Sequence, residues 1–156
     1  MRYFIKFSYD GSCFNGFQRQ PGMKTVQGVI EDALFQLSDC IVNLCASGRT
    51  DKGVHAIEQC AHFDLNLDIR EYNLKKYLNS FFDGEIYVSA LEKVSDSFHA
   101  RYDVKKKVYS YYINMGEFSP IFRNYVYQLC VNLDVDKIKE ASMYLLGVHD
   151  FRSFCT

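Results

Sequence analysis

Residues 48–55 read Gly-Arg-Thr-Asp-Lys-Gly-Val-His, the densest run of reactive and charged groups in the chain. Two glycines bracket Asp51, a cation stands on each side of it (Arg49 and Lys52), and His55 follows four residues on. Glycine lets a backbone turn sharply and come close to a ligand. Arg49 is the kind of neighbour that keeps a carboxylate ionised, and an ionised Asp in a tight turn is a candidate nucleophile. The same residues would also make a polar hairpin turn with a surface ion pair, and their chemistry alone leaves both readings open.

Weaker constellations surround this one. His55 and His62 are possible metal ligands, but no acid or Cys joins them at ligand spacing. The six cysteines (Cys13, Cys40, Cys45, Cys60, Cys130 and Cys155) form no C-x-x-C pair and have no His at zinc-finger distance. Three or four of them are expected in the core as small apolar groups, and no disulfide framework is expected. No metal site is therefore predicted. His99 precedes Arg101 and the run Lys105, Lys106 and Lys107, and residues 101–107 carry 4 − 1 = +3. Alternating lysines on a strand suit a phosphate backbone and equally suit protection of a sheet edge. Tyr109 and Tyr111, two apart on a strand, would share a face that stacks on an extruded base or packs across the sheet. No Gly-rich phosphate loop, dinucleotide fingerprint or nucleophile elbow is present.

These groups need elements to hold them. Residues 2–9 alternate, with Tyr3, Ile5, Phe7 and Tyr9 on one face, which predicts a strand. Asp10-Gly11-Ser12 is a turn, and residues 16–22 form an exposed polar loop. Thr25 caps a helix whose Val26, Val29, Ile30, Ala33, Leu34 and Leu37 share one stripe. A short strand at 41–46 leads into the Asp51 segment, and residues 59–67 alternate again. A second helix carries Leu74, Tyr77, Leu78 and Phe81, and a strand follows near 86–91. Strands are predicted at 108–114 and 124–130. Asp134 should cap a third helix that buries Val135, Ile138, Ala141 and Leu145 and stops at Gly147. The first six elements, β-α-β-β-α-β, fit a ferredoxin-like split βαβ pattern. The predicted class is α+β: a mixed, largely antiparallel sheet with helices on one face. Residues 1–104 form the first subdomain and 105–156 the start of a second, similar one.

Composition narrows the function. A chain of 156 residues with 48% hydrophobic and 24% charged residues is globular rather than disordered. Its formal charge of 18 − 19 = −1 does not by itself announce a nucleic-acid partner. With 16% aromatics and no Trp, most Tyr and Phe must pack the interior. No apolar run approaches the ~18 residues of a membrane span, and the alternating N-terminus lacks the pattern of a secretory signal. A cytoplasmic protein without membrane association is expected.

Several segments in order resemble the A-type tRNA pseudouridine synthases. They are Tyr9-Asp10-Gly11, Gly16-Phe17-Gln18-Arg19-Gln20, Thr25-Val26-Gln27, Gly48 through Ala56, Phe98-His99-Ala100-Arg101, Lys107-Val108-Tyr109-Ser110-Tyr111 and Gly147 through Phe151. The resemblance implies a cofactor-free isomerase that converts uridine to pseudouridine at positions 38–40 of the tRNA anticodon stem-loop. It makes Asp51 the catalytic residue, attacking ribose or uracil or promoting elimination, with Arg49 orienting it. Tyr109 would stack on the target uracil, with Tyr111 beside it. Arg19, Gln20, His55, His99, Arg101, Lys105, Lys106 and Lys107 would contact RNA. A homodimer with tRNA across both subunits is implied. Family members are longer, so the chain is expected to be a fragment with an incomplete pocket. The competing expectation is a non-catalytic RNA-binding fragment or truncated paralogue, for which the Asp51 carboxylate has no use because it repels phosphate.

Overall fold

The structure, a computed structural model, describes residues 1–154. The chain divides into two compact units, Met1–Val108 and Tyr109 onward.

The first unit follows the sequence pattern closely. Strand β1 (Arg2–Tyr9) buries every second residue, as its alternation demands. Helix α1 (Val26–Ser38) begins at Thr25, whose Oγ1 accepts the Gly28 N–H at 3.2 Å. It ends at Asp39, which adopts the left-handed conformation. Strand β2 (Cys45–Ala46) and strand β3 (Ala56–Asp64) flank the Asp51 segment. Helix α2 (Glu71–Phe81) and strand β4 (Ile86–Val94) complete the unit. The sheet order is β2-β3-β1-β4, antiparallel at every pairing. Thus β1 and β2, joined through α1, run parallel with β3 inserted between them, which is the split βαβ arrangement.

One face of the sheet carries the core. Tyr3, Ile5 and Phe7 of β1 lie opposite Phe63, Ala61 and Gln59 of β3. They pack with Val26, Ile30 and Leu34 of α1 and Leu74 and Leu78 of α2. Each such side chain contributes roughly 1.5–3 kcal/mol by leaving water. The other face is thinner. It is covered in part by the 95–103 turn, where Phe98 meets Phe4 edge-on at 5.6 Å and His62 at 6.2 Å.

The second unit departs from expectation. The strands predicted at 108–114 and 124–130 shrink to β5 (Ile113–Asn114) and β6 (Tyr127–Gln128), paired in parallel. Lys105, Lys106 and Lys107 are irregular backbone, as are Tyr109 and Tyr111. Alternation alone does not make a strand where no apolar surface receives the inward face, and Val108, Tyr109 and Tyr111 are all exposed. Helix α3 (Val135–Met143) has its predicted cap, Asp134, which accepts the Lys137 N–H. Its apolar stripe is nonetheless exposed at Val135, Ile138, Ala141 and Leu145. A 3.6-residue period reports amphipathicity, not what covers it. The helix stops at Met143 because the chain tightens into i→i+3 bonds from Tyr144, Leu145 and Leu146, and Gly147 turns left-handed beyond that point.

Two further expectations change. The short strand placed at 41–46 pairs only at its last two residues. No described cysteine lies in the core: Cys13, Cys40 and Cys130 are exposed, and Cys45 and Cys60 are half-buried. The apolar interior is filled instead by aromatic and branched side chains. Cys155 lies outside the described residues. Among those described, no helix is long and apolar enough to cross a membrane.

Candidate active site

Asp51 lies in the connection between β2 and β3, and the local sequence explains its shape. Beyond β2 the Ser47 N–H donates to Cys60 O at 2.8 Å, extending the ladder by one bond. Buried Gln59 then spans the base of the loop. Its Oε1 accepts the Ser47 hydroxyl at 2.8 Å and its Nε2 donates to Gly48 O at 2.9 Å. At the tip, the Val54 N–H donates to Asp51 O at 3.2 Å, closing a turn that Gly53 completes with φ +82°. That backbone conformation is one side chains resist, which is why glycine stands there.

Three neighbours brace the loop from outside. The buried Tyr9 hydroxyl shares a 2.7 Å hydrogen bond with Thr50 Oγ1. Burial, the largest influence, raises the Tyr9 pKa, with the bond to Thr50 working against it. The Phe17 N–H donates to Thr50 O at 3.0 Å. Gly11 presses against the loop so closely that a Cβ on it would lie 2.1 Å from Val54 O. His55 is half-buried beside the same turn. Its Nδ1 faces both the Gly11 N–H and Asp10 Oδ1, each at 3.1 Å. A neutral ring accepts from the first, and a protonated ring donates to the second.

The result is a fixed loop with an open carboxylate. Asp51 is exposed and makes no side-chain hydrogen bond or ion pair among the described residues. It shares a cleft of about 440 Å³ with Arg49, Lys52, Phe17, Gln18 and Gln20. That volume is in the range of small-ligand sites. Lys107 reaches the same loop: its Nζ lies 3.0 Å from where a Gly48 Cβ would stand.

The remaining predicted site residues are distributed differently. Gln20 lines the cleft, and its Nε2 donates to Asn15 O. Arg19 turns away to carboxylates on α1. Arg101, Lys105 and Lys106 are exposed. Tyr109 and Tyr111 are exposed in the second unit. His99 folds over the outer face of the sheet, stacked on Tyr102 at 4.2 Å, with Nε2 3.8 Å from Cys45 Sγ.

His99 thereby joins a cluster the sequence did not reveal. Cys45, His62 and His99 bring one potential ligand atom each within 4.8 Å of one another. The antiparallel register sets Cys45 opposite His62, so reading the two strands as a hairpin around the loop would have found that pair. The hydrogen bonds do not prepare it for a cation. His62 Nδ1 accepts the Ala100 N–H at 3.1 Å and His99 Nδ1 accepts the Arg101 N–H at 3.3 Å. Each neutral ring therefore carries its proton on Nε2, whereas a metal-binding imidazole donates through the nitrogen that is not ligated. Sequence reasoning also passed over Tyr9, Gln59 and Glu31 as supports. Glu31 flanks the apolar stripe of α1, next to Ile30 in sequence, and nothing in the sequence marks it as buried.

The family profile described as tRNA pseudouridine synthase matches residues 6–103. The chain is 47% identical over 149 residues to "tRNA pseudouridine synthase A" of Oceanobacillus iheyensis, covering 94% of this chain and 59% of that protein. It is 45% identical over 158 residues to the protein of that name in Bacillus licheniformis, covering 99% and 64%. A Mycoplasma genitalium protein of the same name is 43% identical over 153 residues, covering 98% and 63%. The chain thus spans roughly three-fifths of the length of these curated relatives.

Proposed function

The chain belongs to the tRNA pseudouridine synthase family, and from that premise we propose that it isomerises uridine to pseudouridine in tRNA with Asp51 as the catalytic nucleophile. The observation that carries the reading is the contrast within one loop. The backbone around Asp51 is tied down by Gln59, Tyr9, Phe17 and Gly11, while the carboxylate itself is exposed in a cleft with Arg49 and Lys52. A structural carboxylate is normally paired; a reactive one is held still and left accessible.

The chemistry asks little else of the protein. The C1′–N1 bond of the nucleotide breaks and a C1′–C5 bond forms. The C5 hydrogen leaves as a proton and N1 takes one up, so no electrons are gained or lost overall. Asp51 would attack the ribose or the ring, or assist elimination. Cofactor-free catalysis matches that balance. A glycosidic bond inside a stem is out of reach, so the uridine must leave the stack, at a cost of a few kcal/mol. Arg49 would orient Asp51 and help extrude the base, and Lys52 would hold the displaced phosphates, with Lys107 above Gly48 and Gln20 at the cleft wall. Tyr109, with Tyr111, would stack on the uracil. His55, His99, Arg101, Lys105 and Lys106 complete the proposed RNA-facing set. The target is the anticodon stem-loop at positions 38–40, the working form a homodimer, and the compartment the cytoplasm.

Tritium release from tRNA carrying 5-tritiated uridine tests this directly. Release by the chain that drops by roughly three orders of magnitude in Asp51→Ala supports the assignment. Because Asp51 is exposed, that variant should keep its stability within about 0.5 kcal/mol. Equal release from both proteins would remove Asp51 from the mechanism. Retention of tRNA on a filter with no release from either would leave an RNA-binding module only.

A further inference from the structure

The family resemblance makes Arg19 an RNA contact, yet its guanidinium is already occupied. Nε donates to Glu31 Oε2 at 2.7 Å, and NH2 donates to Asp32 Oδ1 at 2.5 Å and to Gly28 O at 3.0 Å. One cation faces two carboxylates, a local balance of −1 that repels a phosphate. The side chain is thus spent on helix α1, and the question is what that attachment holds in place.

Glu31 answers it. It is 8% exposed, and its second oxygen accepts the Leu44 N–H at 2.9 Å and the Gln27 Nε2 at 2.8 Å. Leu44 immediately precedes β2, which feeds the Asp51 loop. On the other side, Arg19 ends the segment whose Gly16 and Phe17 carbonyls accept the first two N–H groups of α1, from Val26 and Gln27. The Phe17 N–H in turn donates to Thr50 O. One buried carboxylate therefore ties both flanks of the Asp51 loop to the same helix: the approach to β2 directly, and the cleft wall through Arg19.

We propose that Arg19 and Glu31 form a positioning pair that fixes the cleft wall against the Asp51 loop, and that Arg19 does not serve RNA binding. The inference rests on the isomerase reading for its kinetic consequence, but its structural part does not. Neither residue touches the reacting atoms. Their effect passes through Phe17 to the Thr50 carbonyl, one residue from Asp51.

Three measurements on the chain carrying Arg19→Ala, Glu31→Gln or both test it. The first is the salt dependence of tRNA binding. A lost phosphate contact flattens the logarithmic salt slope by roughly 0.7–0.9, whereas positioning leaves the slope unchanged and Kd within about twofold of the parent. The second is the single-turnover rate of tritium release. It should fall about tenfold or more in each single variant and little further in the double, the mark of residues acting as one unit. The third is hydrogen exchange at the Phe17 amide. It should speed up in Arg19→Ala while the amides of β1 stay protected, so a general loss of fold is told apart. This last arm reads the pair even if the chain releases no tritium, which would count against the isomerase reading alone. A flatter salt slope with unchanged Phe17 exchange would overturn the proposal and return Arg19 to the RNA.

Discussion

At the scale of single residues, the site depends on contacts that leave no room. Gly11 is the sharpest case, since a methyl group there meets the Val54 carbonyl at 2.1 Å and the Gly53 carbonyl carbon at 2.9 Å. Both are backbone, so no rotamer change relieves the clash. Gly11→Ala should destabilise the protein by at least ~2 kcal/mol and displace the Asp51 loop. Gly22 is the control. It sits at φ +71° with nothing within 4 Å, so Gly22→Ala should cost only ~1 kcal/mol of backbone strain. Urea unfolding of both variants checks the difference, and equal midpoints would refute the close-packing account. The candidate residues stood out at this scale because Gly-Arg-Thr-Asp-Lys-Gly gathers charged groups between glycines in one short span. Their supports did not, because Tyr9 and Gln59 reach the loop, and Glu31 the approach to β2, from separate elements at sequence distances of 41, 11 and 13 residues.

At the scale of elements, the 95–103 turn is clasped to the outer face of the sheet by Arg2 and His62. The Arg2 NH1 donates to Asp96 O and Phe98 O, and His62 Nδ1 accepts from Ala100. Burial holds the His62 imidazole below its ordinary pKa, with Arg2 and His99 adding to the effect and Asp64 opposing it. The unfolded chain therefore takes up the proton first, near ~6.5. Stability from this group is complete above that pH. It falls as pH drops towards the lower folded value and levels off below it. Asp64, lowered chiefly by its hydrogen bond from Arg2, gives up its share only in the carboxylate range, so the two losses are separate. His62→Asn retains an acceptor for Ala100 without a titrating ring. It should flatten the stability profile just below pH ~6.5, as read by thermal melts across pH, and an unchanged acid limb would exclude His62 as the cause. Helix α1 and strands β1, β3 and β4 were readable because a periodic apolar face met a real core. At α3 the same periodicity found the helix but not the exposure of its apolar stripe, and at 108–114 it misled, because Val108, Tyr109 and Tyr111 are exposed.

For the molecule as a whole, burial is one-sided. Among the described residues, every buried one lies between Tyr3 and Ala100, and none of residues 101–154 is buried. Local stability follows burial and density of contact. Amide exchange should therefore be slow in β1, β3, β4 and α1 and nearly unprotected from Tyr109 onward, including α3. Mass-resolved exchange over seconds to hours decides this, and protection of α3 comparable to that of α1 would contradict it. Composition gives no sign of this difference in burial. Apolar residues such as Ile121, Val131 and Leu146 are as exposed as the charged ones around them.

Gln59 carries a consequence that extends to heredity. Its amide presents an acceptor to Ser47 and a donor to Gly48, and only an amide offers both at that reach. A glutamine codon becomes a glutamate codon by one base change, the shortest mutational step to a side chain of the same shape. That step turns the donor into a second acceptor facing the Gly48 carbonyl. The nearest genetic neighbour in size is thus among the worst in bonding, and lineages that carry this loop should rarely pass through it.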